Sequence, residues 1–206
     1  MRKLLFILAL ILGNGLGSLY SQTTTVNIVL QNNSLIAING TTNVIPFRLT
    51  QNGEKLTNKS FTITASQIQN KISLNQNQYA IVVKNFNSLN KMALRDFIKL
   101  LKADIYPEIK IQLNYIENQS GLNDYSKGQA SVNITLTGVT KHYIVPISAK
   151  KTIDFYNLIG KMRLSIKDFG INPPTEMLGL IKVSEWIDID LNFFCKITPV
   201  NLAEEN

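Results

Sequence analysis

Residues 182–197 read KVSEWIDIDLNFFCKI, and their odd positions Val183, Ile187, Ile189, Leu191, Phe193, Cys195 and Ile197 are apolar. The even positions include Lys182, Ser184, Asp188, Asp190, Asn192 and Lys196. Successive side chains of a β-strand point to opposite faces, so this period of two defines one long strand with a dry face and a wet face. Trp186 and Phe194 fall on the wet face and call for partial cover by neighbours.

The same period recurs in TVNIVLQ (25–31), SFTITAS (60–66), EIKIQLNYI (108–116), SVNITLT (131–137), KHYIVPIS (141–148) and GKMRLSI (160–166), while QYAIVVKNF (78–86) is nearly all apolar. With NSLIAI (33–38) and NVIPFRL (43–49), the chain offers eight to ten strands joined by turns rich in Asn, Gly and Ser. Gly138 suits a tight turn that needs positive φ. Pro146 has no N–H for a strand ladder and marks a bulge or an unpaired position.

One segment has a different period. In KMALRDFIKLLKAD (91–104), Leu94, Phe97, Ile98 and Leu101 follow the spacing i, i+3, i+4, i+7 and share one face of a helix. Asn90 is placed to cap its start and Pro107 to help end it. Arg95, Lys99 and Lys102 form a basic stripe opposite Phe97 and Leu101, a solvated face or a contact for anionic lipid head groups. Many antiparallel strands and one helix can share a core as a sandwich or as a closed barrel, and alternation alone does not separate the two. The amphipathic helix, the irregular loop lengths and the lack of aromatic girdles argue against an outer-membrane barrel.

The chain opens MRKLLFILALILGNGLGSLYSQ, with Arg2 and Lys3 before an apolar run from Leu4 to Leu12 and then small residues. That is the pattern of a secretory signal peptide, too short in its apolar run to span a bilayer. Cleavage after Ser21 leaves a domain of residues 22–206 (a cut after Gly17 is the alternative), expected to be periplasmic or secreted. Removing residues 1–21 takes two of the 21 basic residues and none of the 14 acidic ones, lowering the net charge from +7 to +5. The lysines are dispersed, which suits solubility and weak attraction to anionic surfaces such as a membrane, and gives no case for nucleic acid. Cys195 is the single cysteine, so the domain is held by its core and not by an intrachain disulfide.

Reactive chemistry finds little support. His142 is the one histidine and lies on the face opposite Tyr143, Val145 and Ile147; a metal site needs several ligands at suitable spacing. Cys195 falls on the dry face of its strand, not in the electropositive, accessible setting of a reactive thiol. Asp188 and Asp190 share a strand face, where paired carboxylates could act on a glycoside, yet a polar strand face ordinarily meets water. There is no Gly-rich phosphate loop and no nucleophile elbow, so neither a cofactor nor an enzymatic activity is expected. The loop KDFGINPPTEMLGLI (167–181) is richer in apolar residues than a solvated loop needs: Phe169, Ile171, Met177, Leu178 and Leu180 form a lid over a barrel mouth or a satellite cluster beneath the loop.

Four stretches, in order, resemble the bacterial YceI-like family. They are SLIAINGTTNVIPFRL (34–49), NKMALRDFIKLLKADIYPEIKIQL (90–113) with its Arg-Asp pair and Tyr-Pro step, LTGVTKHYIVPI (136–147), and GKMRLSIKDFGI followed by KVSEWIDIDLNF. The resemblance implies an all-β fold with one short α-helix, an antiparallel lipocalin-like β-barrel of about eight strands in the periplasm. It further implies a noncatalytic barrel that holds an elongated apolar ligand, an isoprenoid or another long-chain lipid. The dry faces then supply the candidate lining: Tyr115, Val145, Met162, Leu164, Ile166, Ile187, Ile189, Leu191 and Phe193, with Phe97 and Leu101 from the helix and Phe169 from the loop. The alternative is a barrel filled by these same side chains, acting as a structural or protein-interaction module.

Overall fold

The long alternating segment at 182–197 closes the molecule on itself. In the computed structural model, which describes residues 22–56, 60–75, 78–122, 125–176 and 180–200, it forms β13 (Trp186–Pro199). The expected signal peptide (1–21), the NLAEEN tail (201–206) and the loop residues Met177 and Leu178 lie outside the described residues. The other strands are β1 (Gln22–Leu30), β2 (Leu35–Thr41), β3 (Pro46–Asn52), β4 (Ser60–Ile68), β5 (Lys71–Leu74), β6 (Gln78–Val82), β7 (Glu108–Leu122), β8 (Tyr125–Leu136), β9 (Val139–Lys151), β10 (Tyr156–Ser165), β11 (Thr175–Glu176) and β12 (Ile181–Lys182). The helix, α1, spans Lys91–Leu100.

The ring runs β1–β4–β5–β7–β8–β9–β10–β13 and back to β1, an eight-stranded antiparallel barrel. Two tiers arise because β13 changes partner along its length. Its C-terminal half pairs with β1, from Leu30↔Cys195 to Val26↔Pro199, and its N-terminal half pairs with β2, from Leu35↔Asn192 to Asn39↔Asp188. Ser34, fully buried, stitches the changeover: its hydroxyl accepts from the Phe194 N–H at 3.0 Å and donates to the Phe194 carbonyl at 3.3 Å. In the upper tier β2 carries β3, β3 bridges to Asn87 through two 2.8 Å hydrogen bonds, and β6 pairs with the first half of β7.

Three local events decide which residues face inward. Thr137 and Gly138 both take positive φ, +47° and +85°, giving the tight primed turn between β8 and β9. A bulge in β7 shifts the register between Leu113↔Val132 and Tyr115↔Ser131. The extra residue, Asn114, flips the strand's phase, so Ile109, Ile111 and Leu113 face the core but Tyr115 faces out, under the Lys71 ammonium at 4.8 Å from its ring. The expectation that Tyr115 continues the dry face is therefore corrected. The ladder between β9 and β10 ends at Ile147↔Gly160, beside Pro146, which has no N–H to extend it. Above that point the seam is filled by the short 3₁₀ segment Ile166–Phe169, where the Phe169 ring stacks on Tyr143 with centroids 6.2 Å apart.

α1 is capped at its start by Asn90, whose side chain accepts from the Ala93 N–H at 3.0 Å. Its end is set earlier than Pro107. Lys102 takes the left-handed conformation (φ 48°), and the N–H groups of Lys102 and Ala103 reach back to the Lys99 and Ile98 carbonyls, the paired bonds of a Schellman motif. The basic stripe on the helix thus consists of Arg95 and Lys99, with Lys102 in the turn beyond. On the outer barrel wall Trp186 lies beside the Arg163 guanidinium, 5.6 Å from the ring, and Phe194 meets Phe155 edge to face at 6.4 Å.

Candidate ligand cavity

α1 lies across the upper end of the barrel, yet none of its residues is fully buried, because the face it turns inward meets a void instead of packed side chains. That void is a cavity of about 230 Å³. Phe97 and Leu101 line it from the helix side, with Phe97 held edge to face against Phe86 at 5.3 Å. Met162, Leu164 and Ile166 line it from β10 and the segment that follows, and Ile187, Ile189 and Leu191 from β13. The Met162↔Ile189 and Leu164↔Ile187 pairs put these residues side by side on one inward face.

The structure places four of the twelve candidate residues elsewhere. Tyr115 is on the outer wall, for the reason given above. Val145 is buried in the core on β9, paired with Ala130, and is not part of the cavity wall. Phe193 points inward one step past Leu191, toward the lower half of the barrel, and packs against the main core without bordering the cavity. In that lower half Val26, Ile63, Ile72, Tyr156 and Cys195 are buried, and at its upper margin the Phe61 ring meets Tyr79 of β6 edge to face. Phe169, 1% exposed, seals the seam between β9 and β10. Ile171 is also buried, so the described part of loop 167–181 contributes Phe169 and Ile171 to the main core, and Pro174 and Ile181 to the cavity wall.

Sequence reasoning missed the opposite wall. Ile36 and Ile38 from β2, Phe47 and Leu49 from β3, and Ile81 from β6 face the cavity, with Ile109, Ile111, Ile134 and Leu136 from β7 and β8. Their strands were legible, but in β2 Ala37 is as buried as its neighbours, so the alternation that would have assigned Ile36 and Ile38 inward is blurred.

The polar side chains in the wall are Thr42, Asn90, Asp96 and Ser184. Three are already engaged with nearby backbone: Thr42 Oγ1 accepts from the N–H groups of Val44 and Ile45, Asn90 caps α1, and Ser184 Oγ accepts from the Trp186 N–H. Asp96 pairs with the neighbouring Arg95 at 3.3 Å. The cavity can therefore exclude water and hold apolar matter, and its fit is set by shape more than by polar recognition.

Groups of chemical interest lie outside the cavity. His142 is exposed on the outer wall with Nε2 2.9 Å from the Ser131 hydroxyl, which is itself only 2% exposed and also meets Asn114. That pair is not part of the cavity wall, and the described residues contain no cluster of three metal-binding side chains. Asp188 and Asp190 face water, where Arg163, Lys161 and Arg48 sit 3.8–3.9 Å from them and Asn39 Nδ2 donates to Asp190 at 2.9 Å. Exposed pairs of that length contribute little to stability.

Burial pushes the Cys195 thiol from its ordinary value up to about 12. The folded thiol therefore stays neutral over a range where an unfolded one ionises. Because the folded value is the raised one, this group's contribution is fully present below pH 9 and is lost as pH rises from about 9 toward 12. Relative to Cys195→Ala, the native chain should lose up to about 1.4 kcal/mol of stability per pH unit above pH 9, read from urea unfolding of both at pH 8, 9 and 10. A pH-independent difference between them would mean that the thiol ionises as readily folded as unfolded.

A closed antiparallel barrel of eight strands, hollow at one end and lined there by aliphatic side chains, defines the class of lipocalin-like binding barrels. The comparisons with known proteins narrow the class. The YceI-like domain matches residues 22–194, and the chain belongs to that family. Among solved structures it is similar in fold to Burkholderia cenocepacia BcnA, at 14% identity over 80% of this chain and 96% of that one, with a TM-score of 0.54. A Campylobacter jejuni YCEI protein matches at 13% identity over 91% and 88% of the two chains, with a TM-score of 0.45. No curated protein matches the chain.

Proposed function

We propose that the protein is a noncatalytic carrier that holds part of an isoprenoid or other long-chain lipid in the upper half of its barrel, in the periplasm or outside the cell. The observation that carries this reading is the cavity itself, about 230 Å³ with an aliphatic wall and with most of its few polar groups already engaged. An engineered apolar cavity of about 150 Å³ stays dry and takes up benzene. A larger one accommodates a longer apolar segment, with the remainder of an elongated ligand leaving through the mouth. Desolvation drives binding, at about 0.8 kcal/mol per buried CH₂, offset by the cost of ordering the chain.

A second reading, a filled barrel serving as a structural or interaction module, draws on the packed lower half, where Tyr156 and Cys195 occupy the interior. Native mass spectrometry of protein purified from its own source, before and after organic extraction, separates the two. The carrier reading expects one retained species with the mass of a long lipid, released by solvent. A bare polypeptide mass that does not change on incubation with isoprenoids would leave the filled barrel standing.

A further inference from the structure

We propose that the mouth of the cavity is a docking face through which the protein seats on an anionic lipid bilayer. Five large apolar side chains stand exposed around it: Val44, Ile45, Leu89, Met92 and Leu180, between 53% and 103% exposed. Val44, Ile45 and Met92 also line the cavity, Leu89 precedes the lining residue Asn90, and Leu180 precedes the lining residue Ile181. Scattered apolar residues are ordinary on a surface, but a contiguous set around an apolar opening marks a contact site.

The set is held in place. Asn43 ties the β2–β3 turn to β12: its Nδ2 donates to the Leu180 carbonyl at 2.9 Å, its Oδ1 accepts from the Lys182 N–H at 2.8 Å, and its own N–H donates to the Lys182 carbonyl at 3.1 Å. Val44 and Leu180 are therefore presented to solvent by neighbouring, hydrogen-bonded segments. The third flank is the start of α1, fixed by the Asn90 cap.

Charge identifies the occupant. Lys91, Arg95, Lys99 and Lys182 are exposed near this apolar centre, against two acidic neighbours, Asp96, which pairs with Arg95, and Glu176, which stands cross-strand from Ile181. A second copy of the chain would bring the same cations face to face across a symmetric contact. A bilayer with anionic head groups instead offers negative charge over an apolar layer, which matches an apolar centre rimmed by cations. Seated this way, the cavity mouth faces acyl chains, and a lipid can pass in without crossing water. That last step rests on the carrier reading; the docking does not.

The test uses the chain without residues 1–21, because that apolar leader would itself bind lipid, and flotation with vesicles of phosphatidylcholine alone or mixed with phosphatidylglycerol. Docking expects partition onto the mixed vesicles that weakens with added salt. The double change Leu89→Asp with Leu180→Asp, at residues outside the cavity wall, should lower that partition at least ~10-fold. Ile153→Asp, at a fully exposed residue in the β9–β10 turn at the opposite end of the barrel, should not. Partition unchanged by the double variant, no partition onto either vesicle, or a concentration-dependent dimer abolished by the same changes would overturn the proposal. Dye binding in the cavity is measured on the same samples. Its loss in the unmodified chain counts against the carrier reading alone, and failed docking with dye binding intact counts against docking alone.

Discussion

Met162→Trp is expected to weaken binding of a lipophilic dye about 100-fold while leaving the barrel folded. Met162 sits on β10 opposite Ile189 of β13, and both face the cavity. In a packed interior the extra bulk of an indole would force side chains off their rotamers at about 1–3 kcal/mol. Here it is directed into a void of about 230 Å³, which absorbs it. The space it takes is the space the ligand needs. Losing the burial of three or four CH₂ groups corresponds to roughly 2.5–3 kcal/mol, or about a 100-fold weaker affinity. Titration with a naphthalene dye, with an isoprenoid alcohol as competitor, reads this directly, and a urea melt confirms that the fold persists. Tyr115→Trp, on the outer wall, is the control and should bind as the parent does. A folded Met162→Trp protein with undiminished dye affinity would put the ligand somewhere other than this cavity.

How far the barrel could be read from the chain follows from what a period of two records. Alternation reports face, so most of β13 and parts of β10 and β8 were legible, and six of the residues assigned inward from such patterns line the void. It reports neither depth nor phase. Leu191 and Phe193 share one face of one strand, yet one borders the void and the other packs below it, because the changeover of β13 from β2 to β1 falls beside them. Asn114 shows the loss of phase: one extra residue in β7 sends Tyr115 outward, and nothing in NYIENQ announces a bulge. β2 hid its inward residues behind Ala37. The helix end was misplaced for a different reason, since Lys102 adopts at some cost a conformation that glycine would take freely. The emptiness of the upper half was not legible at all. It depends on α1 bridging the barrel end instead of filling it, a matter of placement between distant elements.

Phe169→Ala is expected to be the most destabilising single change in the upper half, because Phe169 substitutes for a missing ladder. From Pro146 upward β9 and β10 make no pairs, and the wall is continued by the 3₁₀ segment at 166–169. That segment is held from several sides. The Ile166 N–H donates to the Glu185 carbonyl at 2.9 Å, Lys167 pairs with the Glu185 carboxylate, and Gly170 turns the chain at φ 71° so that the Ile171 N–H reaches the Ile166 carbonyl. Tyr143 completes the seal: its ring stacks on Phe169 and its hydroxyl donates to Asp168 at 3.4 Å, with burial first and the Asp168 charge second holding the phenol above its usual value. Truncating a fully buried Phe costs about 3–5 kcal/mol, a large share of the 5–15 kcal/mol typical of a whole domain. Urea unfolding should show a loss of that size, and Phe169→Leu should recover more than half of it by refilling the volume. The ring also stands between the interior and solvent along an unpaired seam. Dye bound to the Ala variant should therefore dissociate faster than from the parent, through a second opening in the wall. A loss below about 1 kcal/mol, the range of surface changes, would show that backbone contacts of the segment close the seam without the ring.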